Sequence, residues 1–233
     1  MKRILIAAVA AVCALAAAAQ TKDYSLRLDD FSELKVVDGI NVVYHTSQDS
    51  AGLVTYTCTP EIADKIIFES GRKRLKIEVA FDDNGPLRGL PEVHVYSAIL
   101  GKVENSGDST VTVNMSNALP AFKARVVGNG TLVVRGIYAT NVEGRISTGH
   151  GHLVLIGRAA TAKLSNVGTG PIEAGALEAK DVKCWMLGTG PVDCFATEKL
   201  TVLGAGSGTV YYKGAPKEIV NRTIGVKTQE IKD

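Results

Sequence analysis

The sequence predicts an all-β protein: a parallel β-helix of about 20 residues per coil, preceded by a less regular β-rich part. Three observations carry this expectation. Glycine pairs recur down the chain, as GNG from Gly128, GHG from Gly149, GTG from Gly168, GTG from Gly188 and GSG from Gly206, at steps of 21, 19, 20 and 18 residues. Apolar residues fall at matching places after each pair. Period-two alternation fills the space between pairs, and no window has a convincing helical period.

The chain begins with MKRILIAAVAAVCALAAAA. Lys2-Arg3, a short apolar run and an Ala-x-Ala ending make residues 1–19 a secretory signal peptide, with cleavage expected after Ala19. No later stretch approaches the ~20 apolar residues of a transmembrane helix. Without Lys2 and Arg3, 24 Lys+Arg face 24 Asp+Glu. A formally neutral mature chain lacks the basic footprint of a nucleic-acid binder.

Residues 20–104 read as short alternating strands: LKVVD, INVVYHT, LVTYTCT, RLKIEVA and EVHVYS. PEIADKI at 60–66 has the proline and acid of a single helical turn, and DDNGPLRG at 82–89 reads as a loop. This part is expected to cap one end of the stack, since an open end exposes edge strands.

Residues 105–233 form the β-helix proper, entered through ENSGDSTVTV. After each glycine pair comes a short strand, then a second turn at Gly136, Gly157, Gly175 or Gly214, with Ala196 in the one exception, then a returning strand. The second residue after each pair is Leu132, Leu153, Ile172, Val192 or Val210. In the returning strand one column reads Phe122, Val142, Ala162, Val182 and Leu200. The next reads Ala124, Leu164, Cys184 and Val202, with Ile146 joining after a one-residue shift. Coils stacked at ~4.8 Å turn such columns into continuous apolar ladders. The corner glycines Gly128, Gly130, Gly149, Gly151, Gly168, Gly170, Gly188, Gly190, Gly206 and Gly208 are expected to supply positive φ angles.

DFSELKVVDGINVVYHTSQ at 30–48 places Gly39-Ile40-Asn41 between two short strands, and RLKIEVAF at 74–81 and the G-x-G coils follow in order. On these motifs the chain resembles the GIN-domain family, exported bacterial proteins described as autotransporter-adhesin heads. The resemblance spans almost the whole mature chain. It implies a right-handed β-helix shaped like that of pectate lyases, and a Gram-negative, Bacteroidetes-like host with the protein in the periplasm or on the outer-membrane surface. It implies adhesion as the function and brings no catalytic residues. Asn41 beside Gly39 suits a tight turn.

GTGP is not a phosphate loop, because no Lys-Ser/Thr follows and Pro171 opens a strand rather than a helix. No cofactor is expected. His150 and His152 point the same way on a strand, but a metal needs three or four ligands, and His45 and His94 are distant in sequence. No metal site is expected. Glu143, Glu173, Asp181 and Asp193 fall in different columns, and Asp82-Asp83 is an isolated loop pair, so no acid/base pair is evident. Cys184 and Cys194 flank the second GTG and are a possible disulfide; two buried unpaired thiols are the other reading. One outward column stands out. Lys123, Lys163 and Lys183 each lie five residues before a glycine pair, and Arg145 joins them after the same shift. This basic ladder suits an acidic glycan or surface polymer; a solvated, edge-protecting face is its plain alternative.

The expected function is therefore non-enzymatic: an adhesin-like head presenting a rigid β-helix to a glycan or protein partner at the cell surface, self-association included. Alternatives are a carbohydrate-active enzyme on the same fold and a structural cell-envelope component.

Overall fold

The computed structural model describes residues 20–80 and 87–231. Residues 1–19, expected to be a signal peptide, and Asp82-Asp83 lie outside them. The chain starts with β1 (Lys22–Arg27), β2 (Glu33–Val36), β3 (Val42–Thr46) and β4 (Leu53–Cys58). After the single turn α1 (Pro60–Ala63) come β5 (Ile66–Gly71), β6 (Arg74–Val79), β7 (Val93–Ser97), β8 (Lys102–Asn105) and β9 (Thr110–Asn114). The strands then lengthen in β10 (Ala118–Val126), β11 (Thr131–Ile146), β12 (His152–Asn166), β13 (Ile172–Met186) and β14 (Val192–Ala205). The series closes with β15 (Thr209–Lys213), β16 (Glu218–Ile224) and β17 (Lys227–Glu230).

Consecutive coils pair in parallel, β10 to β11 through β14 to β15 and β16, which makes the fold a β-solenoid. Burial shows how one coil bends. In β11 it alternates to Val134, breaks at the exposed pair Arg135-Gly136, resumes at Ile137 and Ala139, breaks again at Thr140-Asn141, and continues to Ile146. Alternate residues on a strand face opposite ways, so each break marks a corner. A coil thus has a first face (131–135), a second (137–140) and a third (141–146), and the glycine pair turns the last corner.

The predicted ladders run through the core. Val93, Val42, Val111, Leu132, Leu153, Ile172, Val192 and Val210 stack in register. All eight are fully buried. Phe122, Val142, Ala162, Val182 and Leu200 pair as expected. The Ile146 alignment needs correction. Gly144, not Ile146, pairs with Ala124 and Leu164, while Ile146 pairs with Val126 and Asn166. The extra residue of that coil sits in the corner, where the Thr148 carbonyl accepts from the Gly128 amide, so the pairing from Asn141 to Ile146 stays in unbroken register with the next coil. At Gly144 a Cβ would come within 2.7 Å of Leu155 Cδ1, so the column narrows there to admit a leucine from the facing strand.

The N-terminal segments do not stack in chain order. β2 lies between β6 and β8, and β3 lies between β7 and β9. The coil bearing Gly39-Ile40-Asn41 is therefore clasped between two later ones. Asn41 ties all three together: its carbonyl accepts from the Val93 amide at 2.9 Å and its side-chain oxygen from the Thr110 amide at 2.9 Å. Antiparallel strands β1, β4 and β5 lie along this end, where Tyr24 stacks on Tyr56 at 5.0 Å and Phe68 packs at 5.7 Å. At the other end the core columns turn polar. Asn221 continues the Val202 column and Thr223 the Gly204 column, and their side chains hydrogen-bond to one another and to Thr228. A polar last layer is what an open solenoid end requires.

The corner glycines have a different cause from the one expected. Of the ten, only Gly128 and Gly149 have φ in the left-handed region, at 105° and 80°. The others are required by stacking. A Cβ at Gly190 would overlap the Gly170 carbonyl of the corner beneath, and one at Gly170 would overlap the Gly151 carbonyl.

Candidate functional site: a basic and aromatic face

The third face is a broad parallel sheet whose outward side chains form two main columns. One runs Arg74, Glu33, Lys102, Lys123, Glu143, Lys163, Lys183, Thr201. The other runs Lys76, Lys35, Glu104, Arg125, Arg145, Ser165, Trp185, Leu203 along the same strands.

This register redraws the basic ladder. Lys123, Lys163 and Lys183 do share a column, but Glu143 stands between the first two and Arg145 belongs to the neighbouring column. The cause is again the corner insertion at Thr148, which moves the strand one residue back relative to the glycines. Glu143 pairs with Lys123 at 3.4 Å. Farther toward β6 the charges also compensate: Glu33 meets Arg74 at 3.0 Å and Lys102 at 3.4 Å, and Glu104 meets Lys35 at 3.0 Å and Arg125 at 3.5 Å. Burial tends to raise the Glu104 carboxyl, but the Ser106 hydroxyl, Lys35 and Arg125 outweigh it and hold the pKa below its ordinary value.

Past Glu143 this compensation stops. Lys163 and Lys183 are directly paired, and among the described residues neither forms an ion pair. Like charges at adjacent ladder positions repel. Trp185 lies two residues beyond Lys183 on the same outward side, pairs with the buried Ser165, and is 40% exposed. Arg145 pairs with the other side of Ser165. Trp185 therefore follows Lys183 on one strand, lies diagonal to Lys163 on the next and is two coils from Arg145. Residue patterning alone missed Trp185, whose place in DVKCWM reads as one more strand residue until Lys163 and Arg145 are stacked beside it.

Two histidines that are distant in sequence do meet. His45 Nε2 lies 3.2 Å from His94 Nδ1, and His94 lies 3.4 Å from Glu92. Burial and the neighbouring His94 both lower the His45 pKa. His152 lies on another part of the first face, 2.9 Å from Glu173 but poorly aligned for a hydrogen bond. Among the described residues no group of three or more metal-ligating side chains occurs. Glu173 and Asp193, expected in different columns, are directly paired. Asp193 is committed to the backbone, accepting from the Ala174 and Gly175 amides at 2.6 and 3.1 Å. Burial still raises its pKa, against those two bonds. Cys184 and Cys194 are buried free thiols in contact within the core.

The fold is thus a closed-core solenoid whose third face carries cations without ion pairs beside an exposed tryptophan. The chain belongs to the family described as "putative auto-transporter adhesin, head GIN domain", whose model matches residues 30–216. Its fold is shared by a "putative adhesin" from Bacteroides fragilis, with TM-score 0.79, 22% identity, and coverage of 91% of this chain and 96% of that one. A "putative adhesin" from Parabacteroides distasonis gives TM-score 0.70 at 22% identity, covering 91% and 97%. A "putative lipid binding protein" from the same species gives 0.66 at 20% identity, covering 91% and 97%. No curated protein sequence matches the chain. The family description names an adhesin and no enzyme.

Proposed function

We propose that this protein is an exported, adhesin-like binding head that holds an acidic glycan on its third face. The observation that carries this reading is the Arg145, Lys163, Lys183 and Trp185 patch. Among the described residues its cations lack acidic partners, on a face that elsewhere pairs nearly every charge. Indole is a large flat apolar surface of the kind that stacks on a sugar ring, and the cations meet carboxylate or sulfate groups. A flat sheet repeated at fixed spacing suits several weak contacts acting together. The family's adhesin description and its relatives from Bacteroidetes support a location on the cell surface.

Trp185 is the chain's one tryptophan and reports on this face directly. Titration with polygalacturonate is expected to shift its fluorescence, and the Lys163→Ser, Lys183→Ser double variant is expected to lose the response. An unchanged response in the variant, or none in the parent, removes the reading. Incubation with the same polymer should release no new reducing or unsaturated ends; turnover would favour the enzyme alternative.

A further inference from the structure

Around the corner from Trp185, the second face carries an open groove of about 510 Å³, lined by small residues and edged by large ones. Its shape follows from the register. Tyr138, Arg158 and Glu178 stack in one outward column beside Ala118. On the other side of the groove, Pro120, Thr140 and Ala160 occupy successive coils with short side chains, and Lys180 closes the row. The inward residues beneath are Ala139 and Ala159. A wall of long side chains beside a row of short ones leaves a trough crossing the strands. From β10 to β13 it spans three coil steps, about 14 Å at ~4.8 Å each.

The groove has the chemistry of a ligand site. Tyr138 is 63% exposed, so its ring is open to a ligand. The Arg158 side chain is 75% exposed and forms an ion pair with Glu178 at 3.5 Å, on the outer rim of the wall. Lys180 lies near enough to Glu198 to help lower that carboxyl's pKa, but Glu198 is already bridged to Lys217 at 2.7 Å. Glu178 stands at the end of the wall, paired with Arg158, and the residues lining the trough itself carry no carboxylate. An aromatic platform with two cations at its edge complements an anionic, ring-built chain.

The groove also connects to the first site. Only the corner column of Asn141, Thr161 and Asp181 separates it from the third face, and Lys180 precedes Lys183 by three residues. We infer that the groove lined by Tyr138, Arg158 and Lys180 is a second subsite for the same acidic polysaccharide, so that one chain lies in the trough and continues over the corner onto Trp185. This inference rests on the third-face reading for its ligand and extends it to the length of chain recognised. A linked second contact raises affinity without changing the first.

The test uses the mature protein and galacturonic-acid oligosaccharides of two lengths, a disaccharide and an octasaccharide, read through Trp185. The octasaccharide is expected to bind at least tenfold more tightly. The Arg158→Gln, Lys180→Gln variant should keep the disaccharide affinity and lose most of that advantage. An advantage retained in the variant, or absent in the parent, overturns the groove while leaving the third face intact. If neither oligosaccharide perturbs Trp185, the third-face reading falls. The groove is then read by a Tyr138→Trp, Trp185→Phe protein, whose lone indole sits in the trough. Response there keeps the groove as a site in its own right, and silence removes it.

Discussion

Asn166 and Gly190 are packed so closely that a Cβ on the glycine would come within 2.8 Å of the asparagine's amide nitrogen. Asn166 is fully buried between Ile146 and Met186 in the column that also holds Val126. Its amide donates to the Gly170 carbonyl at 2.9 Å, and its oxygen accepts from the Gly168 amide at 3.1 Å. The side chain thus satisfies backbone groups that the GTG corner leaves unpaired. Asn105, farther down the same column, does likewise, donating to Ser109 at 2.8 Å and accepting from Gly107 at 3.2 Å. Asn166→Ala strands a buried donor and acceptor and is expected to cost about 1–3 kcal/mol, measured by urea unfolding. A loss within experimental error would show that the corner needs no such support.

The glycines of the family signature and of the corner above it should respond in opposite ways. A Cβ placed at Gly39 would meet nothing within 4 Å, and the residue has no positive φ; the left-handed residue is Asp38, at 67°. Gly39→Ala should change stability by less than about 0.5 kcal/mol. Gly107 lies directly over Asp38, and a Cβ there would overlap the Asp38 carbonyl. Gly107→Ala should cost about 1–3 kcal/mol or more through forced backbone movement. Thermal melts of the two variants side by side check the pair.

How much of this was legible in the residues depends on what the coil constrains. The columns from Phe122 to Leu200 could be read because successive strands differ by one coil and pair in register. Corner length is free to vary, so a residue inserted at Thr148 displaced Arg145 and Ile146 in any alignment drawn on glycines. The N-terminal order was hidden for another reason. β2 and β3 pair with strands from 74–97 and 102–114, across a detour through β4 and β5, and such pairing leaves no period to detect. Trp185 and the Tyr138 groove depend on which side chains are neighbours between coils, which needs the register first.

Acid should loosen the end of the stack that holds the compensated charges. Burial raises Glu33 and Glu104, but their partners more than offset it, chiefly the Arg74 and Lys102 contacts for one and Ser106 and Lys35 for the other. Both folded pKa values are lowered. Their contribution is therefore complete above the unfolded glutamate value and is lost as pH falls through the folded one. Melting temperature should decline below about pH 4, and Glu104→Gln should flatten that decline. Parallel pH profiles for parent and variant would remove Glu104 from the account.

The cysteines should prove to be thiols that ordinary reagents do not reach. Cys184 shares a hydrogen bond with Cys194, and that bond together with burial pushes its pKa well above the ordinary value; burial raises Cys58 as well. Thiolate is the reactive form, so the native protein should alkylate slowly. After unfolding without reductant, mature chains should carry three adducts, one each at Cys58, Cys184 and Cys194. One adduct in place of three would reveal a Cys184–Cys194 bridge.

Lys163 and Lys183 hold the sharpest conflict between folding and binding. Adjacent cations in a parallel ladder repel, and among the described residues neither forms an ion pair, Glu143 beside Lys163 being bridged to Lys123 instead. Lys183→Glu would replace that repulsion with the arrangement already present at Lys123 and Glu143. The gain should be about 0.2–1 kcal/mol, visible as a small rise in melting temperature. The same change places an anion beside Trp185, where the proposed ligand is itself anionic, and should abolish the polygalacturonate response. A variant that is more stable and no longer binds would mean that the cations are kept at the expense of the fold. A variant that is more stable and binds as before would make the pair an ordinary solvated surface, and the third face would lose its claim to a ligand.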